Sequence, residues 1–126
     1  FIYGGTKMKK LLNSFKYAIS GIVTSFKTEQ NMKIHILITI LVIVMGILLK
    51  ISQTEWILCV FAIAIVITAE LFNTAIETVV DMITKEKNEK AKIAKDVSAG
   101  AVLISALGAA SVGIIIFIPK IIAVIF

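Results

Sequence analysis

Four polar residues, Glu70, Asn73, Glu77 and Asp81, interrupt an otherwise apolar stretch of this chain. At about 100° per residue of an α-helix they fall within roughly an 80° arc, so three carboxylates and a carboxamide share one face. Packing between helices in lipid seldom needs three acids, and ionisable residues at membrane depth mark functional sites by default. Aligned carboxylates suit a hard divalent cation such as Mg²⁺, which bridges one or two carboxylates to substrate phosphates. A glutamate in apolar surroundings can also act as a general base.

The elements that must carry this stripe follow from composition. The chain has 126 residues and is 59% hydrophobic, with a mean hydropathy of +1.01. A soluble domain of this size is about 45–50% apolar and buries only roughly 60–70% of its surface, so lipid must be the solvent for much of the chain. That excludes a soluble nucleic-acid module and a disordered regulator. The single Cys59 excludes an internal disulfide scaffold and reads as a packing residue. The net charge is +5, and every basic residue is Lys. Because the lysines border apolar segments, they suit anionic headgroups or nucleotide phosphates rather than nucleic acid.

Residues 1–7 read as a remnant foreign to the native protein, whose own start would be Met8, and residues 8–126 as one membrane domain without a cleavable signal. From about 9 to 27, Leu11, Leu12, Phe15, Ile19, Ile22 and Phe26 recur at helical spacing against lysines and hydroxyls. Such a basic amphipathic helix beside membrane spans lies in the interface. Three spans are expected at about 31–50, 54–84 and 93–118, the second anchored by Trp56 and the third ended by Pro119. The second would be roughly 45 Å long against a hydrocarbon layer of about 30 Å. Glu77 and Asp81 should then reach the surface, with Glu70 about 10 Å deeper than Glu77. Lysines cluster before the first span and between the second and third, leaving only Lys50 and Lys120 opposite. The positive-inside rule therefore puts the N-terminus and the stripe's open end in the cytoplasm. Small residues at Ala101, Ser105, Ala109 and Gly113 let helices approach closely, and three short helices enclose a polar site poorly, so a homo-oligomer is expected.

Other polar residues lie at the same boundary. Glu29 precedes the first span and serves equally well there as an interfacial charge or as a site carboxylate. Lys95 and Asp96 open the third span, where position alone favours a snorkelling anchor. His35 sits six residues after Glu29, as either an interfacial side chain or a substrate contact.

Glu-x-x-Asn-Thr-Ala-Ile-Glu-x-x-x-Asp at 70–81, with Ala-Lys-Asp-x-x-Ala-Gly-Ala-Val-Leu at 94–103, resembles the prokaryotic diacylglycerol kinase family, which includes the undecaprenol kinases. The likeness runs from about Lys9 to Ile118. It implies an all-α membrane homotrimer that moves the ATP γ-phosphate onto a lipid alcohol. By this resemblance Glu70 is the general base and a lipid contact, and Asn73 orients groups around it. Glu29 and Glu77 hold Mg²⁺ on the ATP phosphates, and Asp81 is a further acidic site residue. Lys95 and Asp96 meet the nucleotide, as do Glu86, Lys87 and Asn88 and, more weakly, Lys10 and Tyr17 of the surface helix. His35 is similar to the undecaprenol branch, where the diacylglycerol branch carries an acid, so undecaprenol is the expected lipid and diacylglycerol the alternative. The lysine-only, isoleucine-rich composition also fits an AT-rich Gram-positive genome. The resemblance places the protein in the bacterial plasma membrane with its active site cytoplasmic.

The chain lacks the Gly-x-x-x-x-Gly-Lys-Ser/Thr phosphate loop, whose work the helical carboxylates would take over. A small proton-coupled exporter is the alternative of another class. It would use Glu70, but it leaves Glu77, Asp81, Lys95 and Asp96 without a task and usually needs a fourth span. A non-enzymatic membrane interaction protein leaves the acid stripe unexplained.

Overall fold

Short polar side chains start three of the four helices by taking up free amides at their first turns. In the computed structural model, which describes residues 6–126, the Thr6 hydroxyl accepts from the Lys9 amide and opens α1 (Lys7–Thr28). Residues 1–5 of the expected N-terminal remnant lie outside the described residues. α2 (Gln30–Leu48) follows after one extended residue, Glu29, whose amide still donates to the Ser25 carbonyl at 2.9 Å. α3 (Gln53–Ile83) opens on a reciprocal capping box between Ser52 and Glu55. α4 (Glu89–Ile125) opens on Asn88, which accepts from the Ala91 amide. No strand occurs among the described residues.

α2, α3 and α4, with 19, 31 and 37 residues, are long and apolar enough to cross a membrane. At 1.5 Å per residue α3 spans about 46 Å, well beyond a hydrocarbon layer of about 30 Å. Pro119, read from the sequence as the end of the third span, does not end its helix, which continues to Ile125. Proline removes one backbone donor, but in an apolar surrounding the remaining amides and carbonyls have no better partners than the helix itself. Lys120, just beyond it, is also tied to Glu55 of α3 at 3.1 Å.

The α2–α3 connection is tight. Lys50 adopts a left-handed φ of 53°, a position where glycine is usual. The Lys50 amide donates to the Ile47 carbonyl and the Ile51 amide to the Gly46 carbonyl, which together close the end of α2. Ile51 then packs into a core with Cys59, Ile116 and Phe117, flanked by Met45 and Trp56. Gly46 makes this possible. A Cβ there would lie 2.6 and 2.9 Å from two carbons of the Trp56 indole. Gly46→Ala is therefore expected to destabilise the protein by about 1–3 kcal/mol, as overpacking does. Thermal unfolding in detergent checks this, and Trp56→Leu in the same chain should recover much of the loss.

α3 and α4 form the most extensive pairing, while α1 and α2 lie more lightly against them. α1 meets α3 where the buried Ser25 hydroxyl lies 3.3 Å from the Thr74 hydroxyl. Leu11, Phe15, Ile19 and Ile22 of α1 remain exposed in the single chain.

Candidate active site

The α3 stripe passes from a closed environment into an open one. Glu70, at its deep end, is 0% exposed, and neither of its carboxylate oxygens has a hydrogen-bond partner. Nε2 of His35 on α2 lies 3.7 Å from Glu70 Oε2. That is too long for a hydrogen bond but close enough to become one after a small rotation. The charges of Glu29, at the α1–α2 joint, and Glu77, two turns along α3, both bear on Glu70. The Thr74 hydroxyl donates to the Glu70 carbonyl at 3.0 Å and meets Ser25, so α1 is held against the helix that carries the acid.

One turn further along, the buried Asn73 links two helices. Its Nδ2 donates to Glu77 Oε1 at 3.2 Å, and its Oδ1 accepts from the Ser98 hydroxyl of α4. The carboxylate of Glu77 can only accept, so the amide must turn its NH₂ to Glu77 and its oxygen to Ser98. Ser98 was missed by the sequence reading. Its only signal is that it follows Lys95 by three residues and so shares its face of α4.

The stripe then opens into a cleft of about 650 Å³ between the end of α3 and the start of α4. Asp81, Glu86, Lys87, Asn88, Lys92, Lys95 and Asp96 are among the residues that line it. Lys95 Nζ is 2.6 Å from Asp81 Oδ1, and Lys92 Nζ is 2.5 Å from Asp96 Oδ2. Both ion pairs are open to solvent, so either can exchange partners at small cost. Lys10 and Tyr17 are not brought to this cleft within one chain. They precede Ser25 on α1 by about 22 and 12 Å of helical rise.

Glu29 and Glu77 offer hard oxygen donors of the kind Mg²⁺ prefers. No group of three or more His, Cys, Asp or Glu converges on one point among the described residues. Mg²⁺ usually takes one or two carboxylates and fills its remaining positions with water and substrate phosphates, and the half-buried Glu29 at the α1–α2 joint and Glu77 on α3 are of the right chemical type for it.

Residues 16–117 match the family model described as prokaryotic diacylglycerol kinase. The chain is 37% identical over 114 residues to the undecaprenol kinase of Bacillus subtilis, covering 90% of this chain and 93% of that protein. It is 38% identical over 114 residues to a diacylglycerol kinase of Synechocystis, covering 90% of this chain and 65% of that protein. It is also 33% identical over 104 residues to the diacylglycerol kinase of Haemophilus influenzae, covering 82% and 88%.

Proposed function

The chain belongs to the prokaryotic diacylglycerol kinase family, and from that premise we propose that this bacterial membrane lipid kinase phosphorylates undecaprenol to undecaprenyl phosphate, with ATP as donor and Mg²⁺ as cofactor. The observation that carries the site assignment is Glu70, a carboxylate with no exposed surface and no partner, at the apolar end of a stripe whose other end opens into a polar cleft. The preference for undecaprenol rests on His35 beside that carboxylate and on the similarity to the Bacillus subtilis enzyme along nearly the full length of both chains.

In this reading the lipid hydroxyl enters from the membrane and meets Glu70, which accepts its proton as the oxygen attacks the γ-phosphorus of ATP. Phosphoryl transfer needs alignment and charge neutralisation more than covalent help. Glu29 and Glu77 would hold Mg²⁺, which supplies charge neutralisation at the phosphates when bound. Asn73 keeps Glu77 facing the site through its amide. Lys95 exchanges Asp81 for a nucleotide phosphate, leaving Asp81 a further acid of the cleft. Asp96 meets the ribose or the base, and Glu86, Lys87 and Asn88 flank the nucleotide.

Lys10 and Tyr17 add weaker nucleotide contacts from α1, which lies on the cytoplasmic membrane surface with its exposed apolar residues in the lipid. Three copies form the working enzyme. A trimer would cover apolar surface that one chain leaves open, and the small residues Ser105, Ala109 and Gly113 of α4 let helices approach closely.

The test is transfer from labelled ATP with Mg²⁺ in mixed micelles that offer undecaprenol or diacylglycerol separately. The expected result is at least tenfold higher kcat/KM for undecaprenol, about 1.4 kcal/mol of discrimination. A preference for diacylglycerol would replace the lipid but keep the mechanism. Transfer to neither lipid by a folded protein would overturn the assignment.

A further inference from the structure

Asn73 reaches across to α4, and the residue it meets there has no part in the chemistry proposed above. Ser98 is buried, and its hydroxyl donates to Asn73 Oδ1, while Asn73 Nδ2 donates to Glu77 Oε1 at 3.2 Å. A hydroxyl inside a helix ordinarily turns back on a carbonyl of its own preceding turn, as those of Ser14, Thr28 and Ser111 do in this chain. Ser98 spends its hydroxyl on another helix instead. Its burial arises within one chain, so lipid or a further copy can only add to it.

The chain of donors has a direction. Glu77 can only accept, so it takes the Asn73 NH₂, and the carboxamide oxygen is left facing α4 with 5% of the residue exposed. Without a hydroxyl at 98 that oxygen would be buried and unpartnered, a costly state. The amide relieves it by turning its oxygen toward water or toward a cation, for which a carboxamide oxygen is itself a hard ligand. Either turn takes the NH₂ away from Glu77.

Placement on α4 adds a second reason. Ser98 follows Lys95 by three residues and shares its face. The Lys95–Asp81 pair is open to solvent, and in the reading above it is given up to a phosphate. The Lys120–Glu55 pair, which also joins α4 to α3, lies about 27 Å from Asn73 along α3. The Ser98–Asn73 bond is then the polar tie that keeps α4 on α3 beside the cleft when nucleotide is bound.

We propose that Ser98 is a positioning residue for Glu77, its hydroxyl acting through Asn73 to hold the Glu77 carboxylate turned toward the divalent cation. This rests on the reading of Glu77 as a Mg²⁺ ligand. Partners that orient a ligating carboxylate govern metal affinity without touching the ion.

The experiment titrates Mg²⁺ into the full chain in detergent micelles and follows binding of a non-hydrolysable ATP analogue. Wild type, Ser98→Ala, Ser98→Thr, Glu77→Gln and the Ser98→Ala/Glu77→Gln double variant are compared, with a melting temperature for each. Ser98→Ala should raise the Mg²⁺ concentration for half-maximal binding about three- to tenfold, below the roughly 10- to 100-fold that follows loss of a ligand's immediate partner. Ser98→Thr keeps the hydroxyl and should stay within about twofold of wild type. In the Glu77→Gln background, Ser98→Ala should add less than about twofold, because the carboxylate it positions is gone. A purely structural role would lower the melting temperature and add its full effect to that of Glu77→Gln. A Ser98→Ala titration that superimposes on wild type would overturn the proposal. So would equal shifts in the Ala and Thr variants, or full additivity in the double variant. Glu77→Gln alone reports on the premise: if it leaves the titration unchanged, the reading of Glu77 falls and the proposal falls with it.

Discussion

Glu70→Gln should yield a folded protein that binds ATP analogues as the wild type does and turns over roughly a thousandfold more slowly, near the middle of the range for loss of a general base. Glutamine has nearly the same shape, so packing around the buried position is kept. It lacks only the capacity to accept a proton. Neither Glu70 oxygen has a hydrogen-bond partner to lose, and a neutral amide is cheaper to bury than an unpartnered carboxylate. Thermal stability should therefore be equal or higher, which separates a catalytic loss from a folding loss. The measurement is kcat in the mixed-micelle assay beside nucleotide binding on the same preparation. Turnover close to wild type would remove Glu70 as the base. Weakened nucleotide binding would relocate its role to the phosphates.

Glu77→Gln tests the opposite end of the closed network. Glu77 Oε1 accepts from Asn73 Nδ2, and the glutamine carbonyl oxygen can accept the same hydrogen bond. The substitution therefore removes charge while sparing the link to Asn73 and, through it, to Ser98. If Glu77 is a metal ligand, the Mg²⁺ concentration that gives half-maximal nucleotide binding should rise about tenfold or more, because charge count sets affinity at a site with few protein ligands. Nucleotide binding measured without metal should change little. A titration that superimposes on the wild type would contradict the assignment, and a loss independent of Mg²⁺ would assign Glu77 to the nucleotide itself.

The two variants divide the stripe by depth. Gln at 70 should act on kcat and Gln at 77 on the metal dependence, although both residues sit on one face of one helix. The division follows from where α3 lies. Its length exceeds a hydrocarbon layer, so one face runs from apolar surroundings at Glu70 to a solvent-lined cleft at Asp81.

Much of this was legible without coordinates, because the controlling physics is local. A period of 3.6 residues aligned Glu70, Asn73, Glu77 and Asp81, and the scarcity of charge marked three segments that lipid could solvate. Backbone groups in an apolar medium must bond within the helix, so helix identity followed from hydropathy. The reasoning failed where a local rule met a tertiary counterweight. Pro119 would stop an isolated helix, yet α4 runs through it to Ile125, and Lys120 just beyond it pairs with Glu55. Lys50 occupies a glycine-like φ because both closing hydrogen bonds and the packing of Ile51 hold the turn.

Composition and periodicity alone determined an all-helical chain with three apolar helices and an acid stripe along the second, because those properties depend on neighbours within one or two turns. The pairing of His35 with Glu70, of Ser98 with Asn73, and of Lys95 with Asp81 was decided only by the tertiary structure. Each joins side chains on different helices. Helical periodicity says which residues share a face, but the rotation and axial offset of one helix against another depend on packing summed over their whole contact.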